Sequence, residues 1–429
     1  MAGLDSIALK KNERLLLMYF CYTAFHGMLR KWVFSGNSGV NNVLFLIQLL
    51  MPFIVFWAMK REKSFFSYQP LFAYAVVLIG CALNPMNHTI FHGISGFLLH
   101  FGFWLIMLTY VNEREAFPIE RLMGAFLIIC FAEVILSVVQ FSLPTTHFLN
   151  RYESSDEVVG FNNGVGVRVI GTFSYIAGYG SFLFFIGLFV WALMIENKRN
   201  TVVILSLAGF GLVSTFMNGS RSIMLPYVVC VGFGFVSYGT FGQKMKAGIT
   251  LALLVGLGLA FNIGKKASFI ETSYNAFAQR VEYGQKSGEA AERTAGAFLD
   301  VSEFRGKYPL FGIGLGATYQ GATSKWGRSH ELIEYGYCEE EPARILLEGG
   351  YFLFIIRVLL FGLLIWQLKI PAMFSTPILF YVYFFTLFVF NTYQCTFVFF
   401  GMALLDKLYY LNAKGRMNNE ELGVYGRIK

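Results

Sequence analysis

The chain has 429 residues, of which 56% are hydrophobic, 18% are aromatic and only 14% are charged. A soluble domain carries about 25% charged residues, so this composition excludes an ordinary soluble protein and indicates a polytopic membrane protein. The formal net charge of +8 is carried mostly by short loops between apolar segments. That distribution fits orientation in a membrane and does not indicate binding of nucleic acid.

Apolar segments of about 20 residues, the length that crosses a bilayer, recur along the whole sequence. They predict an all-α polytopic membrane protein with about twelve transmembrane helices. The predicted spans begin near Leu15, Asn41, Leu71, Thr89, Pro118, Tyr175, Thr201, Ser222, Met245, Ala343, Ala372 and Gln394. The third is short, and the last two could instead form one broken hairpin. Without internal repeats or linkers, residues 1–429 are interpreted as a single bundle.

Lysine and arginine concentrate in cytoplasmic loops and therefore predict the orientation of the bundle. With the N-terminus inside, the inner loops carry Lys60, Arg61, Lys63, Arg114, Arg121, Lys198, Arg199, Lys244, Lys246, Lys369 and the tail 407–429. Among the short loops, only Arg30 and Lys31 fall on the other side. Both termini are thus predicted to be cytoplasmic. A smaller loop, 144–174, and a large loop, 264–341, between the ninth and tenth spans, are predicted to be extracytoplasmic.

The cysteines and histidines indicate no metal site. The six cysteines are scattered and form no Cys-x-x-Cys pair, so neither a disulfide framework nor a zinc site is expected. His88 and His92 lie four residues apart, but no carboxylate or cysteine completes a ligand set around them. We therefore predict neither a metal nor a cofactor.

Two arginines lie next to helix starts that should face the outer surface. Arg168 precedes the sixth span in the segment RVIGTF, and Arg221 opens the eighth in NGSRS. A helix N-terminus attracts anions, and a guanidinium adds donors that suit phosphate oxygens. Alternatively, Arg221 only anchors its helix at the lipid headgroups. Arg280 and Arg293 in the neighbouring loop favour a site for pyrophosphate or a similar anion.

The large loop has further polar candidates and two predicted helices, 273–283 and 288–304. The run Gly312-x-Gly314-x-Gly316 lacks the strand and helix of a dinucleotide site and predicts a tight turn. Glu339, Glu340 and Glu341 precede a proline, so they either cap the next helix or accept a proton. His330 is the only histidine in this loop and is a general-base candidate.

The apolar segments contain three charged residues whose partners or roles need explanation. Glu133, in the fifth apolar segment, either marks a proton or ion path or pairs with another span. Glu348 and Arg344 lie four residues apart on one helix face and can pair with each other.

These segments resemble the O-antigen polymerase and ligase superfamily. The resemblance covers residues 168–365 and rests, in order, on RVIGTF (168–173), NGSRS (218–222), Arg293 followed by YPLFGIGLG (308–316), and Glu348-Gly349-Gly350. It implies a GT-C-like membrane glycosyltransferase of the bacterial inner membrane that acts at the periplasmic face on undecaprenyl-diphosphate-linked sugars. It implies no nucleotide sugar and no required metal. The arginines that hold the lipid diphosphate in the family map onto Arg168, Arg221 and Arg280 or Arg293.

One departure from the family pattern concerns the general base. Many relatives place His-Asn about nine residues before the glutamate that opens the next span. This chain has Glu339 and Glu340 there, with His330 nine residues further upstream. Three alternatives for the catalytic base therefore stay open: Glu339 or Glu340, His330, or none of these residues.

The expected function is a polysaccharide polymerase of the Wzy type. Such an enzyme transfers a growing glycan from undecaprenyl diphosphate to a lipid-linked repeat unit. A ligase of the same superfamily is the near alternative. A transporter or flippase is the distant one, and it would show paired broken helices and many intramembrane charges. The expected partners are an undecaprenyl-diphosphate-linked oligosaccharide and membrane lipids, with a chain-length regulator and a flippase as candidate protein partners.

Overall fold

A computed structural model of the protein describes residues 2–60, 68–152, 167–237, 239, 242, 244–245, 269–286, 310–335, 341–386 and 388–426. Within these ranges the regular structure is helical. The helices are α1 (Ala2–Met28), α2 (Ser38–Met59), α3 (Gln69–Ala82), α4 (Ile90–Asn112), α5 (Met123–Ser142), α6 (Ile176–Glu196), α7 (Thr201–Asn218), α8 (Arg221–Ser237), α9 (Phe269–Lys286), α10 (Gln320–Trp326), α11 (His330–Tyr335), α12 (Glu341–Gln367), α13 (Ala372–Phe385) and α14 (Thr392–Gly426).

The helices confirm that the chain is an all-helical, multi-pass membrane protein. Six segments are long and apolar enough to cross a membrane: Ser38–Met59, Ile90–Asn112, Arg114–Ser142, Ile176–Glu196, Thr201–Asn218 and Glu341–Gln367. Helices α3, α8 and α13 are apolar but shorter. Every predicted span coincides with a helix except the ninth, most of which lies outside the described residues. The total of twelve spans and the GT-C-like arrangement stay predictions.

Helix α6 is the centre of the bundle. It is apolar on all sides and buried over nearly its whole length, as expected for a helix with no polar face. Small residues let its neighbours approach closely. A Cβ atom at Gly180 would lie 3.0 Å from the Ile223 side chain, and one at Gly187 would lie 3.3 Å from Cys230 Cβ. These two glycines allow α8 to pack closely against α6.

One end of the bundle is held by the buried carboxylate of Asp406 on α14. Its Oδ2 accepts hydrogen bonds from Tyr110 Oη at 2.8 Å and from Arg114 Nε at 2.7 Å. Its Oδ1 accepts a bond from the backbone N–H of Lys369. One side chain therefore joins α14 to the end of α4 and to the connection between α12 and α13. We call this the Asp406 end.

The opposite end contains the connections that the sequence analysis selected. Just before α14, Asn391 Nδ2 donates to Ser181 Oγ at 2.9 Å, in the first turns of α6. The segment before α6 and the connection between α7 and α8 therefore lie away from Asp406. Because Arg168 and Arg221 lie there, we call it the arginine end.

Helix α12 is broken at Gly350, whose backbone has φ 63° and ψ −168°. A break of this kind leaves carbonyl groups without helical partners, which is costly inside a membrane. The backbone N–H of Ile313 donates to Leu347 O, and that of Gly314 donates to Glu348 O, both at 2.9 Å. The segment 310–318, which we call the glycine turn, thus completes the hydrogen bonding of the broken helix.

The glycine turn confirms the tight turn predicted for this run. Gly312, Gly314 and Gly316 all have positive φ angles, of 63°, 110° and 74°. A Cβ atom at Gly316 would lie 2.1 Å from the backbone oxygen of His92. The glycines are therefore required by backbone conformation and by close packing on α4.

The substitution Gly350→Ala should destabilise the protein by at least about 2 kcal/mol, because a Cβ disfavours this backbone conformation. The new Cβ would also lie 2.3 Å from Leu310 O. The measurement is thermal unfolding of the purified protein in detergent, followed by intrinsic fluorescence.

The matched control is Gly362→Ala on the same helix, where a Cβ meets nothing within 4 Å. We expect this control to unfold at the wild-type temperature or slightly above it, since alanine favours a helix more than glycine does. Equal unfolding temperatures for the two variants would contradict the role given to Gly350.

Candidate functional site

The segments RVIGTF and NGSRS, which are far apart in sequence, form one contact at the arginine end. Arg168 Nε donates to Asn218 O at 3.0 Å, and its Nη2 reaches Gly219 O at 3.4 Å. In return, Asn218 Nδ2 donates to Val169 O at 2.9 Å. Helix α7 ends at Gly219, which has φ 68°. A guanidinium is favoured beside the carbonyl groups that such an end exposes. At least part of Arg168 is therefore engaged in joining these two segments.

Buried polar side chains fix the rest of the segment before α6. The Oε1 atom of Gln140 accepts a bond from Gly171 N at 2.8 Å, and Lys31 Nζ donates to Gly171 O at 2.5 Å. Glu133 accepts bonds from both the backbone N–H and the hydroxyl of Thr172, at 3.1 and 2.5 Å. The Glu133 carboxylate therefore bonds to the loop before α6, a partner that neither of the two sequence-based interpretations named.

Tyr152 adds a further link to this segment from outside the spans. Its hydroxyl donates to Arg168 O at 2.8 Å. Burial raises the pKa of Tyr152 above its ordinary value, although the nearby Arg168 opposes the shift. The phenol therefore stays neutral and remains a donor at physiological pH.

The other predicted diphosphate ligands are located only in part. Arg221 is the first residue of α8 and is half-buried. Arg280 lies on α9, and its side chain falls outside the described atoms. Helix α9 packs against the last turns of α7, where the Phe216 ring lies 5.5 Å from that of Phe277. The backbone therefore places α9 beside the contact between Arg168 and Asn218. Arg293 lies outside the described residues.

The structure describes only one of the three candidates for the general base. His330 begins α11 and is exposed. Glu339 and Glu340 lie outside the described residues. Glu341, the third glutamate of the cluster, is fully buried, and its Oε2 accepts a bond from Val389 N at 3.0 Å. One member of the cluster therefore bonds inside the bundle.

The carboxylate of Glu348 accepts four hydrogen bonds near the glycine turn. Its Oε1 accepts bonds from the N–H and the hydroxyl of Thr318, at 2.9 and 2.6 Å. Its Oε2 accepts bonds from Gly316 N at 2.9 Å and from His100 Nε2 at 3.0 Å. The expected pairing with Arg344 is not what these contacts show. Glu348 faces α4 and the glycine turn, and the Arg344 guanidinium lies 4.9 Å from the centre of the Phe390 ring.

Behind Glu348, a histidine and an arginine extend the hydrogen-bonded chain into the bundle. Arg357 Nη2 lies 2.8 Å from His100 Nδ1. A guanidinium can only donate, so Nδ1 accepts, and Nε2 carries the hydrogen that it donates to Glu348. The imidazole is thus neutral and directional. Arg357 and Glu348 are fully buried, and His100 is nearly so.

The Arg357–His100–Glu348 chain was not predicted from the sequence, where neither His100 nor Arg357 was selected as a site residue. The available signal was an arginine in the apolar stretch after Gly350, because an ionisable residue in a span normally has a polar partner. No pattern in the sequence names that partner, since His100 lies 257 residues away.

Metal binding finds no support within the described ranges, where no three His, Cys, Asp or Glu side chains are grouped to hold an ion. His88 and His92 contact each other edge to face at 5.5 Å. His92 Nε2 lies 3.2 Å from Gly327 O. This pair helps to join α4 to the segment after α10.

Replacing Glu348 by alanine should cost about 3–5 kcal/mol of stability, because it leaves buried charged and polar partners without their acceptor. The midpoint of thermal or denaturant unfolding in detergent measures the effect. Glu115→Ala serves as the control, because Glu115 pairs with Lys414 at an exposed position. A control midpoint that falls as far as that of the Glu348 variant would contradict this account.

No family model matches the chain, and comparisons with curated proteins and with solved structures give no match.

Proposed function

We propose that the protein is a membrane glycosyltransferase of the polysaccharide polymerase type. It transfers a growing glycan from a lipid diphosphate carrier to a lipid-linked repeat unit. The observation that carries this proposal is the pairing of the motif segments behind the family resemblance. Arg168 bonds to Asn218 and Gly219, and the glycine turn bonds to Leu347 and Glu348. Four segments distributed between residues 168 and 350 thus form two contacts at one end of the bundle.

The proposed chemistry is a displacement at the anomeric carbon of the donor glycan. A hydroxyl oxygen of the acceptor forms the new glycosidic bond, and the bond from the anomeric carbon to the phosphate oxygen breaks. Negative charge then develops on the leaving lipid diphosphate. Preorganised cations are the strongest means of stabilising such charge.

Arg221 is the described residue best suited to that charge. It stands at the N-terminus of α8, where the helix dipole adds to its own charge. Arg280, on the adjacent α9, and Arg293 are the other candidates. Arg168 is assigned two roles. It binds the diphosphate, and its contacts with two backbone carbonyl groups hold the site together. The acceptor proton is assigned to Glu339, Glu340 or His330.

The proposed location follows from the charge distribution of the loops. We assign the protein to the bacterial inner membrane, with both termini in the cytoplasm and the arginine end in the periplasm. The carrier is then undecaprenyl diphosphate. A chain-length regulator and a flippase are the proposed protein partners, and the acceptor would distinguish this polymerase from a ligase.

A transporter is the second candidate, and specific observations favour it. Helix α12 is broken at Gly350, and broken helices line the substrate sites of many transporters. Buried Glu341, Glu348 and Arg357 also supply intramembrane charges of the kind found in transporters. Glu348 and Arg357 lie in a hydrogen-bonded chain that holds the glycine turn, which supports a structural use.

Arg221→Ala should reduce the polymerisation rate at least about 100-fold, because one preorganised charge at a developing anion contributes that much. The assay reconstitutes the protein in liposomes with a lipid-linked repeat unit and follows the ladder of products on a gel. Arg221→Lys should recover part of the rate, since it retains the charge.

The matched control is Arg199→Ala, which removes an arginine at the other end of α7. It should leave the ladder unchanged. A normal ladder from folded Arg221→Ala protein would refute the role of this arginine. Movement of the lipid-linked unit across the bilayer without any ladder would identify the protein as a transporter.

A further inference from the structure

Several buried polar atoms surround Arg357 without a hydrogen-bond partner in the part of the chain that the structure describes. They are Nε and Nη1 of Arg357, Nε1 of Trp104, the hydroxyls of Tyr74 and Tyr383, and Oε1 of Glu341. All five residues are at most 2% exposed. Buried polar groups are almost always paired, with protein or with ordered water. This group of unpaired atoms indicates a ligand.

These atoms belong to one cluster. The Arg357 guanidinium lies 5.8 Å from the centre of the Trp104 ring. The ring of Phe361 lies 4.9 Å from that of Trp104 and 4.8 Å from that of Tyr383. Glu341 and Tyr383 each interact electrostatically with Arg357. The residues that carry the unpaired donors and the unpaired carboxylate oxygen therefore lie close together in the interior.

The buried charges around this cluster indicate which chemical class of ligand it can bind. The buried charges of this region are those of Arg344 and Arg357 against Glu341 and Glu348, which cancel. A bound anion or cation would add a buried charge without a counter-charge, which is costly. The ligand must also accept from the Arg357 N–H groups and donate to Glu341 Oε1. Water is neutral and does both.

A cavity large enough for water lies next to this group of residues. Its volume is about 20 Å³ and its lining includes Val389 and Cys395, but not Arg357, Glu341, Tyr383 or Trp104. The Val389 backbone N–H donates to Glu341, and Cys395 interacts electrostatically with both Glu341 and Arg357. One water molecule needs roughly 10–15 Å³ by this measure. Gln48 also lines this cavity, and its Oε1 is a further unpaired acceptor.

We propose that ordered water binds between Arg357 and Glu341, within reach of the Tyr383 hydroxyl and Trp104 Nε1. The water joins the two halves of the broken helix, because Glu341 lies before Gly350 and Arg357 lies after it. It also extends the Arg357–His100–Glu348 chain into a continuous series of hydrogen bonds from the first residue of α12 to the glycine turn. The site is independent of the proposed glycosyl transfer.

X-ray hydroxyl-radical footprinting of the full-length protein in lipid nanodiscs tests the proposal directly. Radicals form from bound water and label the side chains beside it. Trp104 should be labelled at least severalfold faster than Trp191, which is equally buried but donates its indole N–H to Ser237 Oγ. Equal, background labelling of the two tryptophans would overturn the proposal.

A conservative substitution gives a second, independent test. If the Tyr383 hydroxyl binds water, Tyr383→Phe should lower the unfolding temperature by a few degrees, as should Tyr227→Phe, which removes a hydroxyl bonded to Ala208 O at 2.7 Å. If that hydroxyl has no partner, Tyr383→Phe should leave the temperature unchanged or raise it, and the proposal fails. A stabilising response to chloride over gluconate that is lost in Arg357→Gln would identify an anion instead and would also overturn it.

Discussion

The architecture depends on how the hydrogen bonds of α12 are completed at its break. In a membrane interior, an unpaired backbone group has no water to bind, so a helix can be interrupted only where other groups replace the missing bonds. Here Ile313 and Gly314 supply backbone donors, and Glu348 binds the turn from the other side. The glycines of 312–316 are therefore part of the same structure as Gly350, although the two lie on separate segments. The position of α4 follows, because it packs against the turn and supplies His100.

Sequence patterns predicted the helices well because hydrophobicity over about 20 residues is a local property. They also predicted the start of α8 at Arg221 and the turn at the three glycines, since helix ends and positive φ angles have residue preferences of their own. Sequence patterns did not predict which side chains pair across the bundle. Arg344 was the partner expected for Glu348 from a spacing of four residues, but Glu348 instead accepts its hydrogen bonds from His100 and from the glycine turn.

In the candidate site, too, the sequence indicated individual residues but not their contacts. The arginines could be selected because each stands in a recognisable segment, whereas the contact of Arg168 with Asn218 depends on how α7 packs. Glu133 is similar: its place in an apolar segment marked it as unusual, but only the fold shows that Thr172 is its partner. Arg357 and His100 carried no local motif. The role of an intramembrane charge depends on which group it pairs with, and tertiary packing determines that group.

The Asp406 contact has a mechanical consequence for the bundle. A single carboxylate receives bonds from Tyr110 of α4, from Arg114 in the connection between α4 and α5, and from Lys369 in the connection that leads into α13. These elements are thereby tied at one end, so rigid helices can separate only by tilting about that point. The displacement of a tilting rod grows with distance from its pivot. Any tilt of α4 relative to α14 therefore changes their spacing least at the Asp406 end and most at the other end of the bundle.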